Sequence, residues 1–144
     1  MRFLAVFLVI LGVSAAVPTH AEDVHKGTIY KNPECICCSA YASYLRDNGF
    51  EVTVVDTHDL TMIKRQAGVP SALEGCHTLG VEGYTVEGHV PVGILKRLLS
   101  ERPQIRGISL PGMPMGSPGM AGPKSEPLTV YELSDGAPKV YGVE

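Results

Sequence analysis

The sequence predicts an α/β fold built on a mixed β-sheet. Three observations carry this. Short β-branched runs alternate with stretches of helical period, in the order strand–helix–strand–helix–hairpin–helix and then strands. The chain has 144 residues, 44% hydrophobic and 19% charged, which suits one ordinary core and excludes a generically disordered chain. Its 16 Gly and 11 Pro supply many turns between short elements. The net charge is −3 with no Lys/Arg-rich run, so no nucleic-acid partner is expected.

The elements follow in order. Arg2, the apolar residues 3–13 and a small-residue stretch ending at Ala21 read as a signal peptide cut after Ala21. An uncleaved anchor is the alternative, but the apolar run is too short to span a bilayer comfortably, and no later stretch could. Residues 22–144 then form a single domain, expected in the periplasm or outside the cell. Thiols oxidise there unless a metal or a reductant holds them. Residues 22–26 read as loose, with His25 in that tail. Residues 27–30 read as a strand and 31–34 as a loop. A helix starts within residues 35–38; Cys38, Tyr41, Ala42 and Leu45 share one face, and Gly49 stops it. Residues 51–55, rich in β-branched side chains, form the next strand. Asp59 caps a second helix running to Ala67, with Leu60, Ile63 and Ala67 inward; His58 is a turn or helix-entry residue. Residues 77–81 and 84–86 pair as a hairpin around Glu82-Gly83. Pro91, at a first helical position, opens a third helix over 92–100. Residues 105–110 read as a strand and 111–123 as a Pro/Gly/Met loop. Residues 128–133 and 139–141 form a terminal hairpin.

The chemistry concentrates in the cysteines and methionines. Cys35, Cys37 and Cys38 lie where a strand hands over to a helix. A helix N-terminus favours thiolates, so these sulfurs are expected to be acidic, and good nucleophiles or metal ligands. Cys76, followed by His77, is the fourth thiol. Three readings stand: structural disulfides, a redox dithiol, and a metal–thiolate site. Three cysteines within four residues suit the first badly. The strand–Cys-x-x-Cys–helix order by itself suggests a thioredoxin-like start, with Cys37 as an extra thiol inside the redox pair. Met113, Met115 and Met120 fall within ten residues. Methionine usually fills core gaps. Here Pro and Gly on every side leave no regular element to aim the side chains into a core. Soft thioethers on a flexible loop suit Cu(I) better than zinc. His89 lies just before a helix start, where site residues often sit.

The strings Cys35-Ile36-Cys37-Cys38, Cys76-His77-Thr78, Glu87-Gly88-His89-Val90-Pro91 and Pro111-Gly112-Met113-Pro114 through Met120 together resemble the CopG-type periplasmic copper proteins, long catalogued as a domain of unknown function. The resemblance runs from about Thr28 to Met120. It implies a thioredoxin-like mixed sheet with flanking helices, to which the predicted C-terminal β-hairpin is an extension. It also implies copper binding and association with copper-resistance gene sets, which makes copper-resistance proteins candidate partners. Carried over position by position, it nominates Cys35, Cys37, Cys38, Cys76, His77, His89, Met113 and Met120 as metal-site residues, with Met115 ranked lower. Ile36 stands where the family string has Gly, and nothing after Pro123 matches. The expected function is handling of Cu(I), more than one ion per chain, in copper resistance or homeostasis. A copper-dependent oxidoreductase cycling Cu(I) and Cu(II) is one rival class. A thiol–disulfide oxidoreductase without a metal role is the other.

Overall fold

The computed structural model describes residues 24–144; the signal peptide read at residues 1–21 lies outside the described residues. The elements are β1 (His25–Lys31), α1 (Ile36–Asp47), β2 (Phe50–Asp56), α2 (Leu60–Gln66), a single 3-10 turn (Ser71–Leu73), β3 (His77–Val81), β4 (Tyr84–Glu87), α3 (Val92–Glu101), β5 (Gly107–Ser109), β6 (Thr129–Glu132) and β7 (Val140–Val143). The strands form one seven-stranded sheet in the order β2-β1-β3-β4-β5-β6-β7. β1 and β2 run parallel, joined by α1, and β3 pairs antiparallel with β1. The β3–β4 hairpin and α3 follow. This β-α-β then β-β-α arrangement is thioredoxin-like. β5 adds parallel to β4, and β6 and β7 extend the sheet antiparallel beyond it.

The core follows the apolar periods. In α1, Cys38, Tyr41, Ala42 and Leu45 are the buried residues, and Gly49 takes φ 92°, a left-handed turn that glycine adopts without strain. α3 buries Ile94, Leu95, Leu98 and Leu99 against Ile29, Leu79, Val86 and Ile108 of the sheet. Leu128 and Val130 of the C-terminal hairpin belong to the same core. Val69, Leu73 and Leu133 form a smaller cluster. Among the described residues, no helix is long and apolar enough to cross a membrane.

Four expectations change. β1 begins at His25, because its ladder with β2 starts at the pair His25 and Phe50; His25 Nδ1 lies 2.6 Å from Glu82 Oε1. In α2, Leu60, Ile63 and Ala67 are only half-buried, and Lys64 is the residue buried. Lys64 can be inside because a buried carboxylate, Glu87, faces it at 2.5 Å. Pro91 has extended backbone (φ −58°, ψ 140°), so it caps α3 and the helix begins at Val92. β5 is confined to Gly107–Ser109, the stretch that finds partners in both β4 and β6.

Candidate metal centre

Three segments converge at one end of the sheet. Cys35 caps α1, and Cys37 and Cys38 lie in its first turn, Cys38 turned into the core. His77 opens β3 and pairs with Lys31, the last residue of β1, so Cys76 sits beside the start of α1. His89 follows β4 by two residues. Gly75 and Gly88 hold these last two segments together. A Cβ on Gly75 would lie 2.5 Å from the Gly88 nitrogen; one on Gly88, at φ 70°, would collide with the Leu110 carbonyl. Only glycine permits this approach.

The donor atoms are close. A disulfide joins Cys35 and Cys38. Cys37 Sγ lies 3.5 Å from Cys35 Sγ, and Cys76 Sγ lies 3.4 Å from Cys38 Sγ. The four sulfurs all lie within 4.8 Å of one another. A second group under the same limit comprises Cys38, Cys76, His77 and His89. His89 Nε2 is 3.0 Å and His77 Nδ1 3.5 Å from Cys76 Sγ. His89 Nδ1 is 2.6 Å from the Pro118 carbonyl oxygen, which can only accept. Nδ1 therefore carries the proton, and the Nε2 lone pair points at Cys76. His77 Nε2 is buried without a hydrogen-bond partner. The Tyr41 ring lies 4.8 Å from the His77 ring and 5.0 Å from that of His89, and its hydroxyl donates to the Val90 carbonyl at 2.8 Å.

Burial sets the protonation. It holds His77 well below the usual imidazole range, helped by His89 and then Lys64 nearby. It lowers His89 too, against the opposing pull of the Pro118 carbonyl. Both rings stay neutral, the form that ligates metals. Burial, followed by the neighbouring Cys37, pushes the Cys76 thiol up to about 12. The acidic thiols expected at the helix start are not free here: Cys35 and Cys38 are oxidised to the disulfide, and Cys37 and Cys76 are the free thiols. Reduction of the disulfide would make four soft donors available in one place.

The methionine loop reaches this centre through its backbone. Pro118 supplies the carbonyl to His89, and Gly119 lies against the Cys37 carbonyl and the Tyr41 backbone. Ser117 is buried, its hydroxyl donating to the Pro114 carbonyl at 2.7 Å. Met120, next to Gly119, is half-buried. Met113 and Met115 are exposed, at 41% and 56%. His58 is exposed, and His25 lies at the far end of β1. A cleft of about 820 Å³ lined by His25, Asn48, Glu82, Lys96 and Ser100 also lies at that far end, away from the cysteines.

Sequence reasoning missed Lys64 and Glu87 as parts of this region. Their signal was faint. Lys64 sits one turn from Leu60 and Ala67 on the face expected to be inward, and Glu87 stands two residues before His89.

Residues 73–120 match a family model described as a protein of unknown function, DUF411. No curated protein matches the chain significantly. The chain is similar to the solved structure "Copper resistance protein copG- Form 2", with 34% identity and a TM-score of 0.78, over 85% of this chain and 99% of that one. It is similar also to "Copper resistance protein copG- Form 1", with 33% identity and a TM-score of 0.77, over 85% and 98%.

Proposed function

The chain belongs to the CopG family of copper resistance proteins, and we propose that it binds Cu(I) in its fully reduced form at the converging cysteines. The observation that carries this reading is the set of four sulfurs within 4.8 Å of one another, two of which also face a pair of neutral imidazoles. Cys35, Cys37, Cys38 and Cys76 supply thiolates, and His89 Nε2 and His77 supply nitrogen. Met120, Met113 and Met115 supply thioethers from the loop that folds back at Pro118 and Gly119. Soft sulfur donors select Cu(I). The donors exceed one ion's need, and sulfurs this close can bridge, so more than one ion is held. The protein, residues 22–144 after signal cleavage, handles copper in the periplasm as part of copper resistance, with Cu(I)/Cu(II) cycling and hand-over to partner proteins as extensions of the same site.

The test is anaerobic titration of the reduced protein with Cu(I) against a calibrated chelator, with elemental analysis. More than one copper per chain is expected. A single ion, or zinc prevailing in competition, would overturn the reading. The Cys35–Cys38 disulfide at a strand-to-helix junction favours a second reading, thiol–disulfide exchange without metal. Metal-free turnover of a disulfide substrate, unchanged by Met113→Ala and Met120→Ala, would support that instead.

A further inference from the structure

The two free thiols flank the disulfide, one at each of its sulfurs. Cys37 Sγ lies 3.5 Å from Cys35 Sγ, and Cys76 Sγ lies 3.4 Å from Cys38 Sγ. The row runs from the rim inward. Cys35 and Cys37 are half-buried at the start of α1, beside the exposed side chain of Ile36, and Cys38 is fully buried. A thiol held this close to a disulfide sulfur is at reacting distance, and a fixed neighbour reacts far faster than a dissolved thiol. Of the two, Cys76 is the equipped one. His89 Nε2 lies 3.0 Å from its sulfur, and the Pro118 carbonyl fixes the ring by accepting from Nδ1–H. A nucleophile, a base within reach and a third group orienting the base form the arrangement that activates a weak nucleophile. The donor group that contains the two imidazoles includes Cys38 and Cys76 and not Cys37.

We propose that Cys76 attacks Cys38 and draws the disulfide inward, so that the oxidised chain exchanges between a Cys35–Cys38 and a Cys38–Cys76 pairing. The Cys76–Cys38 bond forms as the Cys38–Cys35 bond breaks. The Cys76 proton passes to His89 Nε2. Cys35 leaves as a thiolate and is protonated from solvent, and His89 returns its proton there. One disulfide and two thiols stand on each side of the step, so it needs neither oxidant nor reductant. Cys35 is suited to leave, because the positive end of α1 favours a thiolate at the cap. In the second pairing Cys35 and Cys37 are both reduced at the rim while the oxidised pair sits inside. The chain thereby presents two adjacent thiols outward without being reduced. The step involves no metal and goes beyond the Cu(I) reading.

The test uses the oxidised, metal-free chain under anaerobic conditions. It is incubated with excess iodoacetamide, the remaining thiols are blocked in acidic denaturant, and the protein is digested with trypsin. Trypsin leaves Cys35, Cys37 and Cys38 on residues 32–46 and Cys76 on residues 66–96. The Cys35–Cys38 pairing gives two separate peptides, and the Cys38–Cys76 pairing gives a cross-linked pair. Alkylation of the freed Cys35 traps the second pairing. A cross-linked pair with adducts on Cys35 and Cys37 should therefore accumulate as the main product. Cys76→Ser should yield none of it, and His89→Gln should slow its accumulation by roughly tenfold or more. Peptides that stay separate at every time, or a cross-link made through Cys37, overturn the proposal. A wild-type rate in folded His89→Gln overturns the part given to His89. None of these outcomes bears on titration of the reduced chain with Cu(I), so the two readings fail separately.

Discussion

His89 shows how much a single proton position decides. Its Nδ1–H is committed to Pro118, so Nε2 is left as an acceptor toward Cys76. His77 and His89 are both held below the ordinary imidazole value of about 6.5. The folded state therefore binds fewer protons than the unfolded chain under acid. Stability is complete above about pH 6.5 and falls as the pH drops below it, by up to about 1.4 kcal/mol per pH unit for each ring. Urea melts of the metal-free protein at pH 7 and pH 5 should show that loss, and His77→Gln should shallow it. Cys76, held protonated up to about 12, should alkylate slowly at pH 9 in folded protein and quickly once unfolded. Equal rates in the two states would contradict the assignment. Cys38 and Tyr41 were legible as inward residues because period alone places them. Lys64 was not, because a lysine on an apolar face reads as solvated until its partner, 23 residues away, is known.

Elements were legible to within a few residues, since turn-forming glycines and prolines bracket most of them. What escaped was contact between distant turns. Nothing local in residues 75 and 88 says that their backbones touch, yet that contact sets the Cys76–His89 distance. Gly88→Ala should cost about 1–3 kcal/mol from the left-handed φ alone, with more from the collision at Leu110, read as a lowered melting temperature. The loop over 111–123 behaves differently. Met113 and Met115 are exposed, so Met113→Ala and Met115→Ala should leave the apo melting temperature nearly unchanged, well short of the ~2–5 kcal/mol of a core methionine. Cu(I) affinity should fall in the same variants if their thioethers serve as donors. Thermal melts paired with chelator competition separate the two effects.

Across the whole molecule, the order of elements implied a mixed sheet and its two hairpins, β3–β4 and β6–β7, but not the other strand pairings, because those join residues far apart in sequence. The stretch after Pro123, which matched no family string, is part of the structure's core. Leu128 and Val130 pack with α1 and α3 residues, Leu133 closes the small cluster, and Leu128 exchanges backbone hydrogen bonds with Glu144 at 2.8 and 3.1 Å. Ending the chain after residue 123 should remove about 1.5–3 kcal/mol for each of these three leucine and valine side chains. The truncated protein should unfold at markedly lower urea concentration; an unchanged midpoint would show the hairpin to be dispensable.

Cys38 and Cys76 belong to both donor groups, the all-sulfur one and the one with two imidazoles. An ion bound as proposed can therefore move from one group to the other by changing its outer donors while two sulfurs keep hold. At no stage is it bare, so the move proceeds by ligand substitution and not by dissociation. For an ion bound as proposed, strong retention and quick exchange, usually opposed, would then coexist in one pocket, with hand-over governed by the incoming donor.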